Sequence, residues 1–369
     1  MAAADALPIP GKHGRRERLE ALVPDVTRTR VQRLWAHASL LIKYATPARV
    51  ANALLNEYEY RRRRDVLSSY PPTMTIDITN ACQLECPLCA TGNKSAARAK
   101  GVMPLPQFED MLDQVAERAF QVFLYSWGEP TLVPRLPQYI AAVKRRRLGC
   151  VFSSNLSRPL SEAEAEAIVA AGPDRIIVSL DGTTAETHAR YRVGSDINVV
   201  RGNVQKLRAA RERQGRGYPR LVWQFLAFAH NHHQLREAHS LVRPWGFDTL
   251  EVERPNLPFG VDDEALAREW FAPEHELRLH GAPDVKDNIG KVCFWPWRVA
   301  VLAPDGGLST CCYVEGDKLD VDNARTRGFF TAWNSPKMAA VRRGVASGHD
   351  VPAPCVDCSA AYPQGRSGK

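Results

Sequence analysis

Short apolar stretches alternate with amphipathic helical patterns through the middle of the chain. Alternating or continuous apolar patterns predict six strands, at residues 73–79, 121–127, 150–155, 175–182, 221–230 and 249–255. Apolar residues at helical spacing predict helices between them, at 104–119, 135–147, 161–171, 198–214 and 232–243. Six such units indicate an α/β fold with a parallel sheet, a partial (β/α)6 TIM-like barrel. Functional side chains of such barrels lie at the C-terminal ends of the strands.

The N-terminal part of the chain lacks this alternation and has helical periodicity instead. Helical spacing covers 28–45 and resumes after Thr46-Pro47, which has the form of an N-cap and a first helical position. This second helix is expected to cover a core with one apolar face, formed by Val50, Leu54 and Tyr58.

The C-terminal part of the chain changes pattern again. A hairpin is predicted around the "PDGG" turn, followed by a helix that begins near Ser335-Pro336. The predicted regions are a helical N-terminal extension at 1–70, the barrel at 71–256, a linker with one short helix at 257–290, and a small cluster-binding domain at 291–369.

Composition adds little to this picture beyond a basic charge. The 369 residues carry a net charge of +8, and the basic runs lie near the ends of predicted helices, where they complement the helix dipole. A nucleic-acid partner is therefore not expected. No apolar run reaches the ~20 residues that cross a bilayer, and the N-terminus has no secretory signal. We expect a cytoplasmic protein with reduced thiols and no transmembrane segment.

Three cysteines follow the first predicted strand closely. They form the pattern Cys82-x3-Cys86-x2-Cys89, in the first loop at the C-terminal side of the predicted barrel. Three soft thiolates suit iron–sulfur chemistry, and a structural zinc site would need a fourth ligand nearby. Three ligands on a four-iron cluster leave one iron open to another molecule.

This pattern after strand one of a six-unit barrel resembles the radical S-adenosylmethionine (SAM) superfamily, over about residues 73–255. The resemblance implies a [4Fe-4S] cluster on the three cysteines and SAM bound to its open iron. In that family an electron from the cluster cleaves SAM to methionine and a 5′-deoxyadenosyl radical, which takes a hydrogen atom from the substrate.

Later strands carry further motifs of the same family. "WGEP" at 127–130 is similar to its Gly-Gly-Glu-Pro loop, with Trp127 in place of the first glycine. The resemblance implies contacts to the ammonium, ribose and carboxylate groups of SAM, from Gly128, Glu129, Ser153, Asn155, Ser179 and Arg192.

A second set of cysteines lies in the C-terminal region. Cys293 is followed by twelve residues, a glycine, four residues and Cys311, and the chain ends with Cys355-x2-Cys358. Four thiolates complete a metal shell, and both zinc and a four-iron cluster fit this chemistry. The spacing resembles SPASM domains in their shorter, twitch form, which implies one fully protein-ligated auxiliary [4Fe-4S] cluster.

Two cysteines remain outside these sets. Cys312 adjoins Cys311, and neighbours on a strand face opposite ways, so only one of the two is a ligand; the spacing favours Cys311. Cys150 and Cys312 are then either small buried residues or thiols that give a hydrogen atom to a substrate radical.

Two clusters in one chain suggest electron transfer from substrate to the auxiliary cluster. The cysteine layout resembles that of the radical SAM dehydrogenases of aminocyclitols, and this resemblance implies oxidation of an alcohol to a ketone on a small polyhydroxylated substrate, a sugar, aminocyclitol or nucleoside. We expect flavodoxin or ferredoxin as the reductant. Candidate bases and substrate ligands on the last two barrel strands are Gln224, Glu251 and Glu253, each of which is equally consistent with an ordinary polar position.

Three other functions stay open at this stage. Epimerisation of a sugar or cyclitol would use Cys150 or Cys312 as hydrogen donor. Peptide modification is common among SPASM-type enzymes, although residues 1–70 show no strand pair of a leader-binding winged helix. A non-enzymatic electron-transfer or RNA-binding role would leave the SAM-like motifs without a purpose.

Overall fold

The computed structural model describes residues 39–257, 264–272, 292–353 and 355–358. Most of the helix predicted at 28–45 and much of the predicted linker at 257–290 lie outside these described residues. Within them the structure has the α/β architecture that the sequence predicts, with a parallel sheet covered by helices.

Six parallel strands form a partial barrel in chain order. They are β1 (Thr73–Ile76), β2 (Gln121–Phe123), β3 (Gly149–Ser154), β4 (Arg175–Ser179), β5 (Arg220–Leu226) and β6 (Thr249–Glu253). Each pairs in parallel with the next, so all six C-terminal ends share one side of the sheet. The loops at this side form the barrel mouth. Each strand ends before its predicted boundary, because the following residues turn into these loops.

Helices surround the sheet, and most of them pack on its outer face. They are α1 (Pro47–Arg61), α2 (Leu105–Val115), α3 (Leu136–Arg145), α4 (Glu162–Ala171), α5 (Ala185–Tyr191), α6 (Ile197–Arg213), α7 (Leu235–Leu241) and α8 (Glu264–Trp270). Local capping sets several boundaries, as where Ser161 and Glu164 form a capping box at the start of α4. The sequence analysis missed α5, which begins after the N-cap Thr184.

Apolar side chains fill both faces of the barrel sheet. The larger core lies between the sheet and the outer helices. A smaller inner cluster contains Val151, Ile177 and Val222, and Leu40 and Tyr44 pack against it from the segment before α1. The N-terminal residues of the described chain therefore close the floor of the barrel, opposite the mouth.

The C-terminal region continues the barrel sheet. It contains α9 (Trp295–Arg298), β7 (Val299–Leu302), β8 (Gly307–Ser309), β9 (Asp322–Asn323), α10 (Ala324–Arg327), α11 (Phe329–Trp333) and α12 (Pro336–Ser347). The predicted hairpin is present as β7 and β8, which pair antiparallel. β7 also pairs in parallel with β1, which makes a nine-stranded sheet.

The N-terminal helix α1 is oriented differently from the prediction. Val50, Leu54 and Tyr58 were expected to cover a core, but they are 42%, 68% and 48% exposed. The prediction of their burial is wrong because polar side chains on the opposite face hold the helix on the barrel. Helical spacing identifies an apolar face but does not say which way that face points.

Candidate functional site

The first cysteine set lies in the mouth, on the loop that follows β1. Cys86 is buried, and Cys82 and Cys89 are half-buried. A one-turn backbone hydrogen bond from Cys89 N to Cys86 O, 3.2 Å long, folds the loop tightly. Gly92 is required there, since a Cβ atom at this position would lie 2.5 Å from Cys86 N.

The three thiols are close enough to affect one another. Burial, together with the neighbouring Cys86 and Cys89, raises the pKa of Cys82 to about 11. Burial likewise raises the pKa of Cys86, whereas the guanidinium of Arg192 lowers it. Metal ions offset this cost by binding the thiolate form, so the donor set fits an iron–sulfur cluster.

The loop after β2 lies directly against the loop after β1. A Cβ atom on Gly128 would lie only 1.7 Å from the carbonyl oxygen of Thr79, so no other residue fits without backbone movement. Trp127, which departs from the family motif, donates from its indole Nε1 to Val314 O at 3.1 Å. The tryptophan therefore connects this loop to the C-terminal region.

Glu129 lies beneath the same loop and is 2% exposed. Its carboxylate accepts hydrogen bonds from Thr131 N at 2.9 Å, Ser154 Oγ at 2.6 Å and Asn155 N at 2.7 Å. These bonds fix the ends of β2 and β3 relative to each other. The contact to SAM implied for Glu129 remains a prediction.

The other motif residues lie around the cysteine loop. Asn155 donates from Nδ2 to Cys82 Sγ at 3.6 Å and accepts from Gln83 Nε2 at 2.9 Å. Arg192 donates from Nε to Asp181 Oδ2 at 2.6 Å. Ser153 is half-buried, and Ser179 is buried opposite Gln224 in the β4–β5 register. The structure thus brings the predicted SAM contacts to one side of the barrel.

The barrel interior combines predicted residues with others that the sequence analysis missed. Glu251 accepts from Arg175 Nη2 at 2.6 Å, and their side chains are only 14% and 7% exposed. Burial raises the pKa of Tyr125, and the nearby Cys312, Glu251 and Glu253 raise it further. Alternation along the predicted strand at 121–127 could have indicated that Tyr125 shares the inner face with the side chain two positions before it.

The C-terminal segment after β8 also reaches the mouth. Burial, together with the nearby Cys312 and Glu253, raises the pKa of Tyr313 to about 12. Tyr313 also accepts a 3.4 Å hydrogen bond from Asn256 Nδ2, just beyond β6. The mouth is therefore lined by both the barrel and the C-terminal region.

The second cysteine set is brought together from distant parts of the chain. Burial raises the pKa of Cys311, which the adjacent Cys312 and then Cys355 and Cys293 also raise. Burial raises the pKa of Cys355 to about 12, with contributions from Cys293 and Cys358. Burial raises the pKa of Cys312 to about 12, and Cys312 in turn raises the pKa of Tyr125 in the barrel interior. Cys311 thus lies with the other thiols of the set, and Cys312 adjoins it on the side of the barrel interior.

Both sets consist of thiols. Over the described residues, no three His, Cys, Asp or Glu side chains have the geometry that holds one metal ion. Soft thiolate donors fit iron–sulfur clusters, as the sequence predicts.

Comparisons with known proteins agree with both sites. The family model of the radical SAM superfamily matches residues 76–215, and that of the SPASM iron–sulfur cluster-binding domain matches 293–359. The chain belongs to the radical SAM superfamily and carries a C-terminal SPASM domain. This membership implies a SAM-binding [4Fe-4S] cluster, SAM and auxiliary iron–sulfur chemistry, as the sequence predicted.

Relatives of known name match most of the chain. A PqqA peptide cyclase of Xanthomonas campestris pv. campestris (strain 8004) is 27% identical over 319 residues, which are 79% of this chain and 81% of the relative. The PqqA peptide cyclase of Gluconobacter oxydans (strain 621H) is 28% identical over 312 residues, 79% of this chain and 84% of the relative.

Solved structures share the fold at low sequence identity. Streptococcus suis SuiB bound to S-adenosylmethionine has a TM-score of 0.60 and 15% identity, covering 84% of this chain and 75% of its own. BtrN in complex with AdoMet and 2-DOIA has a TM-score of 0.51 and 15% identity, covering 81% and 98%. In the described part of this protein, no helix is both long and apolar enough to span a membrane.

Proposed function

We propose that this protein is a radical SAM maturase that modifies a peptide. The observation that carries the proposal is the similarity to PqqA peptide cyclases, which extends over 79% of the chain. The fold of Streptococcus suis SuiB bound to the precursor peptide SuiA, with a TM-score of 0.59, is compatible with it. This reverses the preference drawn from the sequence, which favoured a small polyhydroxylated substrate and treated peptide modification as an alternative.

The first cysteine loop would hold the catalytic cofactors. When bound there, the [4Fe-4S] cluster and SAM supply the 5′-deoxyadenosyl radical, and the auxiliary cluster supplies a redox partner. Asn155 and Gln83 orient the side of the loop that carries Cys82. Arg192 places a positive charge beside Cys86, where a carboxylate of SAM would also bind.

An apolar wall beside this loop would keep water away from the reacting atoms. Tyr191 and Phe228 lie with ring centroids 4.3 Å apart, and Trp270 packs edge-on against both. Leu88, which stands where many relatives in the superfamily have an aromatic residue, belongs to the same cluster. Exclusion of water and of stray hydrogen donors is what a radical reaction requires of the protein.

The polar side of the mouth would bind the substrate. Tyr125, Glu253 and Tyr313 offer hydroxyl and carboxylate groups that can bind backbone amides or hydroxyls. Glu251 already binds Arg175, so its proposed role is to position that guanidinium rather than to act as a base. Gln224 lies between these groups, opposite Glu251 in the β5–β6 register.

Alcohol oxidation is the second candidate function. It is favoured by a carboxylate, Glu253, at the mouth and by an auxiliary set of four thiols that leaves no open ligand position. The likeness to BtrN concerns the fold alone, so it adds no support for this substrate class.

Anaerobic activity assays separate these functions. Reconstituted protein with SAM and dithionite, in place of a flavodoxin or ferredoxin, would be given a pool of synthetic peptides or a panel of sugars, aminocyclitols and nucleosides. We expect peptides to raise 5′-deoxyadenosine release and to lose hydrogen atoms in pairs, with Cys82→Ala as the inactive control. Release stimulated only by the polyol panel, with a ketone product, would establish alcohol oxidation instead.

Assays in deuterated water test the epimerase alternative. An epimerised product has the same composition as the substrate except for one deuterium, which it receives from a thiol that has exchanged with the solvent. In Cys312→Ala this donor is absent, so the labelled product should not form. A cross-linked or oxidised product gains no deuterium at the reacting carbon, and its formation tolerates Cys312→Ala.

A further inference from the structure

Helix α1 presents its polar side to the protein and its apolar side to solvent. The buried residues of this helix are Arg49, Asn52, Asn56 and Glu59, all of them polar or charged. The outward face is apolar. Its side chains are Val50, Leu54, Leu55 and Tyr58, which are 42%, 68%, 39% and 48% exposed. This is the reverse of an ordinary surface helix, which buries its apolar stripe.

Hydrogen bonds from its polar side hold α1 in place, together with an edge-on contact between Tyr60 and Trp297. The Arg49 guanidinium donates to four backbone carbonyls, those of Tyr44, Ala116, Arg146 and Arg147. Asn56 donates to Trp297 O at 2.8 Å, and Glu59 accepts from the amides of two serines after the helix. The outward apolar side chains are therefore not needed to attach the helix.

These contacts locate the apolar face on the floor of the barrel. The carbonyls bound by Arg49 lie on the connections that lead into β2 and β3. Asn52 similarly binds Tyr70, shortly before β1. All of these are N-terminal strand ends, so the helix is opposite the first cysteine loop. Its last turn lies beside the second cysteine set, where Tyr60 donates to Val292 O at 2.7 Å.

A cluster of exposed arginines adjoins the apolar face. α1 leads directly into Arg61, Arg62, Arg63 and Arg64, and all four are exposed. The acidic Glu57 beside them is already paired, with Arg61 at 2.7 Å and with Arg298. Among the described residues, the floor therefore combines outward aliphatic and aromatic groups with a net positive charge.

We propose that this face docks the protein on an anionic membrane surface, with the barrel mouth directed away from it. Apolar side chains can enter the interface between headgroups and acyl chains while guanidinium groups bind the lipid phosphates. Leu54 and Arg62 are the central members of the two groups. A second copy of the chain fits less well, since each copy carries a net charge of +8.

Vesicle flotation with the full-length protein tests this proposal. The probes are phosphatidylcholine vesicles and vesicles of equal parts phosphatidylcholine and phosphatidylglycerol. Leu54→Ser should weaken binding to the anionic vesicles about tenfold, and Arg62→Gln about fivefold. Matched controls at the mouth side, Val102→Ser and Arg236→Gln, should leave binding unchanged.

Several results would overturn the proposal. If Leu54→Ser left the affinity for anionic vesicles unchanged, and Arg62→Gln and Arg236→Gln lowered it equally, binding would depend on net charge alone. A dimer in sedimentation velocity that Leu54→Ser dissociates would assign the face to a second copy. A monomer that binds neither vesicle would show that the face takes no lipid. Because 5′-deoxyadenosine formation is measured without vesicles, these outcomes are independent of the proposed reaction.

Discussion

Two adjacent cysteines offer a matched test of the auxiliary site. Cys311 faces Cys293 and Cys355, whereas its neighbour Cys312 faces the barrel interior. Cys311→Ala therefore removes one of four thiols that converge from three separate segments. Cys312→Ala removes a thiol of the same size and similar burial that raises the pKa of its neighbour Cys311 but not that of Cys293 or Cys355.

Iron content per chain gives the magnitude of the effect. The two complete sites hold about eight irons, four in each. We expect about four irons in Cys311→Ala and about eight in Cys312→Ala. The same two substitutions can be made in a variant that also carries Cys82→Ala, Cys86→Ala and Cys89→Ala. In that background Cys311→Ala should leave almost no iron, and Cys312→Ala should leave about four irons per chain.

The assay is anaerobic reconstitution followed by iron, sulfide and zinc analysis, with electron paramagnetic resonance of the dithionite-reduced protein. Circular dichroism of each variant controls for loss of fold. Equal iron loss in the two variants, or loss in Cys312→Ala alone, would refute the assignment of Cys311. Zinc in place of iron would refute the cluster interpretation of the spacing and remove the redox role of this domain.

Three further predictions concern the mouth and the loops below it. Gly128→Ala should abolish SAM binding measured by equilibrium dialysis, because the new Cβ meets backbone at 1.7 Å, whereas Gly101→Ala, with no atom within 4 Å, should not. Glu251→Ala should lower the free energy of unfolding by about 3 kcal/mol in urea titrations, since it leaves a buried guanidinium unpaired. Glu253→Ala should lose turnover because it removes a carboxylate at the mouth, and wild-type turnover in this variant would refute that role. Burial raises the pKa of Asp77 to about 7, above its unfolded value of 3.8. The contribution of this residue to the free energy of unfolding is therefore complete below pH 3.8 and is lost as the pH rises through 7. Between pH 4 and 8 the wild type should lose up to about 4 kcal/mol more stability than Asp77→Asn, and parallel stability profiles over this range would contradict this.

Local patterns predicted the barrel and most of its mouth. All six strands and the loop motifs after them follow from short-range alternation and from residues within one turn of each other. The same holds for the hairpin at β7 and β8, which a "PDGG" turn connects. These features depend on neighbours in sequence, so the sequence alone contains the required information.

Contacts between distant segments were not predicted. The pairing of β7 with β1 joins residues such as Thr73 and Val299, and no local pattern specifies it. The salt bridge of Arg175 with Glu251 depends on the stagger of three strands. The apolar face of α1 points outward because Arg49, on the opposite face, binds backbone carbonyls of the barrel floor. These carbonyls come together only in the assembled barrel.

The continuous sheet explains how the C-terminal region comes to line the barrel mouth. Because β7 extends the barrel beside β1, the C-terminal segment after β8 returns over the same loops that carry the first set. Trp127 hydrogen-bonds Val314 across this junction, and Arg98, just beyond the first cysteine loop, binds Asp305 and Asp320 of the C-terminal region at 2.6 Å and 2.7 Å. The SPASM domain is thus part of the wall of the barrel mouth, where the proposed substrate would bind, and substitutions there are expected to change substrate affinity as well as cluster content.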